Sequence, residues 1–362
     1  MKKISAKQMS GQSGVTLVEM LISITIFLIV TGSIYGLLRV ATLDRNRASR
    51  RSDTLKNARA ALQLIGRDVQ NAGIGYSRSG ARVPDDFLQT RLGFPPEPAN
   101  SERDLLTSVI PGDQANANNL QAGRTDMVAF VMSDVDNFNQ GSPLTIKDEN
   151  GGGSTSRLIT KNENDSIDCR INDLYLVNDD TTQAIVMLTA NPSRNNNGDR
   201  LEFAVADPLG FNQARNNSDA TKASLIRKCS GSTTVECMKG YPSVSLRKIL
   251  LVTYKVQPDG TLVRTTYGSN TGNAADQVQV QPLAYGVQDL QITYTMRDGS
   301  LVDDPSAPAL DPNAQFIPGK RNGIRLLNIT MIARDDKIDE ATGIAHTVTL
   351  NGSFSTKNLE YK

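Results

Sequence analysis

Gly14 and Glu19 are the residues of this chain whose types and spacing most clearly invite chemistry. Glu19 is the only charged side chain from Val15 to Leu38, a run that otherwise reads Val-Thr-Leu-Val and then Met-Leu-Ile-Ser-Ile-Thr-Ile-Phe-Leu-Ile-Val onward. An acid at the centre of a membrane helix costs roughly 2.5–3.5 kcal/mol, so Glu19 calls for a partner, and the run contains no basic residue. Hydrolysis of the Gly14–Val15 peptide bond would create one. The freed α-amine of Val15 would sit about one helical turn from Glu19 of its own chain, or within reach of Glu19 on a staggered neighbour. A short basic stretch with Lys2, Lys3 and Lys7 precedes the small Gly14.

Other chemistry is sparse. His346 is the only histidine, which removes the central residue of His-based metal clusters and of most acid–base arrangements. Asp134-Val135-Asp136-Asn137-Phe138-Asn139 begins like a calcium loop, but Phe138 takes a ligand position and Asn139 replaces the required glycine. Asp303, Asp304 and Asp311 read as solvated turn acids, so no metal and no cofactor is expected. There is no phosphate-binding glycine loop, nucleophile elbow or dinucleotide fingerprint, and the chain does not read as an enzyme. The formal charge is +1, and loss of the three leader lysines would take it to −2, so nucleic acid is not a default partner. Cys229 and Cys237 bracket a short polar loop and form the favoured disulfide, which an extracytoplasmic location would permit. Cys169 remains open as an alternative partner for either.

The elements that must position these residues follow from periodicity. The apolar run is long enough to cross a bilayer as one helix. It exceeds the roughly 7–15-residue core of a secretory signal, and no A-x-A-like site follows it. A simple retained anchor would leave the Gly14–Glu19 spacing unexplained. Gly32 and Gly36 form a Gly-xxx-Gly pair suited to close helix approach. Beyond Leu38 the helix should continue as an amphipathic one. Leu55, Ala58, Leu62, Ile65 and Val69 make one stripe, and Arg59, Gln63, Arg67 and Gln70 lie opposite, with a stop at Gly73. Tyr76 to Arg124 reads as loop with at most short elements, and Gly151–Ser154 and Asn195–Gly198 as exposed loops.

Strands are expected at Asp126–Ser133, Asp173–Val177, Ala184–Thr189 and Leu201–Val205. Ile249–Val256 and Thr261–Tyr267 flank the turn Pro258-Asp259-Gly260 as a hairpin. Leu290, Ile292, Tyr294 and Met296 alternate on one strand and Leu327, Ile329, Met331 and Ala333 on another, with a last strand at Thr347–Phe354. The expected class is α+β: a long N-terminal helix, membrane-spanning in its first half and amphipathic in its second, packed on an antiparallel sheet head with long loops.

A basic leader ending in Gly14, an apolar helix and Glu19 at the fifth following position together resemble the class III signal of type IV prepilins and pseudopilins. Later segments resemble PilW-like minor pilins and the related J-type pseudopilins of type II secretion. Those segments are Arg67–Gly73, Tyr254-Lys255-Val256, Gly260–Arg264, Pro282–Leu290 with Tyr294, and Ile324–Leu327 through Ala333-Arg334. The resemblance implies a leader 1–14, a membrane and filament-core helix 15–40, its amphipathic continuation 41–75, and a head 76–362. It implies cleavage between Gly14 and Val15 and N-methylation of Val15 by a prepilin peptidase, with Glu19 as the assembly charge. Implied partners are the major pilin, other minor pilins and an inner-membrane assembly platform. The implied location is the inner membrane with a periplasmic head, then the pilus. The implied role is priming assembly or forming the tip; a type II secretion pseudopilin and a tip adhesin or DNA-uptake subunit are the alternatives. Arg39, Arg45, Arg47, Arg50 and Arg51 outnumber the leader lysines, so charge counting alone favours the opposite orientation.

Overall fold

The computed structural model describes residues 14–76, 80–96, 105–134, 144–146, 155–160, 168–179, 183–195, 198–212, 244–270, 272–273, 276–305, 320–338 and 343–356. Cys229, Cys237, Gly151–Ser154, Phe138-Asn139 and Asp311 lie outside these residues. Helix α1 spans Leu17–Asn71 without a break. The chain divides into two units within it, one ending at Asp53 and one beginning at Thr54.

In the first unit every large apolar side chain from Val15 to Leu43 is exposed. This stretch is long and apolar enough to cross a membrane. Its 3.6-residue turn presents Val, Ile, Leu and Phe on all sides, as a helix in lipid or in a bundle core must.

The second unit begins with the amphipathic end of α1. Ala58, Leu62, Ile65 and Val69 are buried, as the stripe predicts, and Arg59, Gln63, Arg67 and Gln70 are exposed. The helix ends where Gly73 adopts φ 82°. Its N–H then donates to Val131 at 2.9 Å, and the Ser133 N–H donates to Ile74 at 2.8 Å, so the chain leaves the helix along a strand edge.

The strands that follow are β1 (Ala81–Arg82), β2 (Leu105–Leu106), β3 (Val109–Ala117), β4 (Arg124–Ser133), β5 (Leu144–Ile146), β6 (Thr155–Thr160), β7 (Leu174–Asn178), β8 (Gln183–Met187) and β9 (Ser193–Asn195). Then come β10 (Gly198–Ala204), β11 (Ser245–Val256), β12 (Leu262–Tyr267), β13 (Val278–Ala284), β14 (Val287–Met296), β15 (Leu301–Val302), β16 (Ile324–Ile338) and β17 (Ala345–Ser355). They form a nine-stranded sheet ordered β13-β12-β11-β7-β8-β1-β2, with β4 paired to β11 and β3 to β4, and two four-stranded sheets, β5-β6-β10-β9 and β15-β14-β16-β17. Strand β11 is the hub. β4 lies along one edge, while β12 and then β7 share the other, so Ile249 is paired on both sides. Lys248 reaches the acids that flank this junction, Asp173 at 2.9 Å and Asp134 at 3.5 Å.

Strict alternation lets the large sheet serve two cores. Val128, Phe130 and Met132 of β4 face the α1 side, where Tyr254, Leu290, Tyr294, Met331 and the helix stripe pack. Met127, Ala129 and Val131 face the opposite core with Phe87, Leu106, Ile185 and Phe211. The expected alternating residues of β14 and β16 are all buried. Phe354 of β17 lies against α1 at Gly66 and over Gly352, and a Cβ at either glycine would collide with its ring.

Besides the unforeseen short strands β5, β6, β9 and β15, with β9 and β10 meeting at the expected loop Asn195–Gly198, three features depart from the sequence reading. The segment read as loop contains the nine-residue strand β3, whose ladder to β4 is interrupted between Gly112 and Asn116. Pro111, Gly112 and the positive φ of Gln114 break the alternation that would have revealed it. Strand β13 is likewise absent from the sequence reading, because it buries almost nothing. Finally, β1 and β8 pair in parallel at Arg82 and Ala184, within sheets that are otherwise antiparallel.

Candidate functional site

Gly14, Val15 and Thr16 precede the first helical residue and are exposed. A methyl group placed on Gly14 would meet nothing within 4 Å. The Gly14–Val15 bond is therefore open to an enzyme that needs a small residue on its leader side. Gly32 and Gly36 are equally open on the helix surface.

Glu19 has a partner that sequence reasoning overlooked. Its Oε2 accepts from the Thr16 backbone N–H at 3.1 Å and from the Thr16 hydroxyl at 3.2 Å. The Glu19 N–H donates in return to Thr16 Oγ1 at 3.3 Å. This is a capping box with Thr16 at the N-cap and Glu19 three residues on, a T-x-x-E pattern visible in the sequence. In the uncut chain Val15 contributes an amide nitrogen, so Glu19 occupies itself with the helix end. Cleavage would place a positive charge one residue before this cap.

In the head, the segments that carried the resemblance converge. Asp68, 3% exposed on the last turns of α1, accepts at Oδ2 from the Tyr254 hydroxyl at 2.6 Å and from Arg264 Nε at 3.0 Å. Arg264 also donates to Tyr254 Oη at 3.1 Å and to Thr266 Oγ1 at 3.0 Å. Burial first, and then the Asp68 charge, hold the Tyr254 phenol protonated far above its ordinary range. The Val287 N–H donates to Gly260 and the Arg334 N–H to Gly286, each at 2.8 Å. Helix end, hairpin and the two later strands are thus one locked unit, and its polar centre ties α1 to the sheet.

Asp126 makes a second long-range tie. Its Oδ1 accepts from the Gln114 N–H at 2.8 Å and its Oδ2 from the Ile292 N–H at 2.7 Å, joining β3, β4 and β14. Burial raises its pKa to about 6 against these two hydrogen bonds, with nearby Asp113 adding to the rise. A carboxyl whose folded pKa lies above its unfolded value favours folding most when protonated. The Asp126 contribution should therefore be fully present below about pH 4 and decline as pH rises to about 6. Urea unfolding of the detergent-solubilised protein should show this slope, and Asp126→Asn should flatten it. An unchanged slope in the variant would refute the assignment.

Comparison with known proteins adds one match. Residues 9–35 fit the model of the prokaryotic N-terminal methylation motif. The chain thus carries a class III prepilin signal, which supports the type IV pilin superfamily. No curated protein and no solved structure matches the chain.

Proposed function

Starting from a chain that carries a class III prepilin signal, we propose that it is a minor pilin of a type IV pilus, of the PilW-like kind, which primes assembly or forms the tip. The carrying observation is the capped Glu19 immediately behind an open Gly14–Val15 bond, at the head of a helix whose large apolar side chains are all exposed from Val15 to Leu43. A prepilin peptidase cuts after Gly14 and methylates Val15, and the helix waits in the inner membrane with its head in the periplasm. On assembly the helix leaves lipid for a bundle of like helices, and Glu19 exchanges the Thr16 cap for the α-amine of a neighbour. At about 4 Å and an effective dielectric near 20, that attraction is about 4 kcal/mol, comparable to the cost of holding the acid in an apolar core.

Size and loop content support a rare subunit rather than a shaft subunit. The chain has 362 residues and long segments between strands, and such a head repeated along a filament would crowd its neighbours. Deletion of the gene should lower the number of pili and leave major-pilin levels unchanged. Blotting of sheared filaments should place the protein far below the major subunit. Near-equal abundance would make it a shaft pilin, and normal piliation with lost protein export would make it a secretion pseudopilin.

A further inference from the structure

From Arg39 to Ser52 the chain carries five arginines and one acid, Asp44. The segment directly follows the exposed apolar stretch of α1 and lies within the first unit, which ends at Asp53. Arg39, Arg45 and Arg51 are exposed, and Arg47 reaches Asp44 at 3.3 Å. That pair is open to solvent and carries little energetic weight. Neither the Glu19 cap nor the Asp68 cluster uses any of these cations.

Their spacing selects the kind of partner. Arg39, Arg45 and Arg51 are six residues apart, and at about 100° per residue each step turns about 240° around the helix. The three therefore stand evenly around α1, and no side is left without a cation. A protein partner meets one face of a helix, whereas a headgroup layer surrounds it.

Depth agrees with this. A hydrocarbon core of about 30 Å takes about 20 helical residues, and each headgroup layer adds about 5–7 Å. With Leu38 at the edge of the core, Arg39 enters the headgroup layer and Arg45 stands about 10 Å beyond Leu38. Long side chains lean toward the N-terminus of their helix, here back toward the membrane, so the Arg45 guanidinium returns to that layer. Arg51, leaning the same way, stays about one Debye length, about 8–10 Å, from its outer edge.

We propose that Arg39, Arg45 and Arg51 form a collar that binds the headgroups of anionic phospholipids where α1 leaves the membrane. The inference rests on the membrane-anchored stage of the reading above. Basic residues beside a membrane span are drawn to anionic lipid in this way. The collar also sets the depth of the helix. Gly14 lies about 37 Å before Arg39 along a helix, and a bilayer with its headgroups is about 40–45 Å thick. Arginines held in one headgroup layer thus place the Gly14–Val15 bond in the other.

The full-length protein in phosphatidylcholine vesicles, with spin-labelled phosphatidylglycerol or spin-labelled phosphatidylcholine as probe, reports which lipid sits beside the helix. Phosphatidylglycerol should be enriched about threefold or more at low salt, and the enrichment should shrink at about 1 M salt. Arg39→Gln/Arg45→Gln/Arg51→Gln should remove most of it, whereas Lys2→Gln/Lys3→Gln/Lys7→Gln should keep most of it. Glutamine is a good helix former, and fewer cations after the span do not oppose its insertion. If the triple arginine variant fails to accumulate, the leader variant decides, because the enrichment it keeps comes from the other side of the span. Equal enrichment in the wild type and the arginine variant would overturn the collar, and with lost filament entry it would assign these arginines to a protein partner. Displacement of the labelled lipid by millimolar inorganic phosphate at matched ionic strength would overturn it too. Wild-type protein that fails to enter vesicles refutes the membrane reading and the inference with it. Protein that enters them without lipid preference refutes the collar alone.

Discussion

Glu19→Ala should leave cleavage after Gly14 intact and lower entry of the protein into sheared filaments by about tenfold or more. The side chain has two successive partners. Its Oε2 closes the capping box with Thr16, and in the proposed assembly it would meet the α-amine of a neighbouring chain. Alanine loses both, but only the second decides whether a helix docks, since the membrane still accepts a more apolar helix. Glu19→Gln sharpens the test. It keeps a hydrogen-bond acceptor for Thr16 and removes the charge, so it should accumulate in the membrane and assemble poorly. Incorporation of either variant at the wild-type level would show that the charge does not drive docking.

Asp68→Ala should destabilise the head by about 3–5 kcal/mol, the range for removing one partner of a buried ion pair. The variant leaves the Tyr254 hydroxyl and the Arg264 guanidinium without the acid they share, in a site where Asp68 is 3% exposed. It also removes the polar tie between the end of α1 and strands β11 and β12. Tyr254→Phe should cost less, about 1–2 kcal/mol, because Arg264 still neutralises Asp68. Urea unfolding of the detergent-solubilised chain measures both. A loss below about 1 kcal/mol for Asp68→Ala would show that the cluster does not hold helix to sheet.

The parts of this molecule that could be read from its sequence are those in which one residue type at one position carries the physics. Gly14 and Glu19 stand out because a lone acid in an apolar run has few explanations. β14 and β16 stand out because one side of each faces a core and the other does not. Asp68 is not legible as a site. Beside Arg67 it resembles any charged surface residue, and only its position next to Val69, within the arc of the buried stripe, hints otherwise. Its partners lie on a hairpin far along the chain, so no local pattern could name them. The Thr16–Glu19 cap is legible as a T-x-x-E pattern, but an acid in an apolar run points first to a cationic partner. β3 is hidden by Pro111 and Gly112 in its middle, and β13 by having no buried face to impose a pattern.

The central claim is that this chain is a processed prepilin, and the mass of the intact protein extracted from membranes tests it most directly. Processing predicts a polypeptide that begins at Val15, lacks residues 1–14 and carries one added methyl group on its α-amine. A mature protein that still begins at Met1, or one cut beyond Leu38, would contradict it.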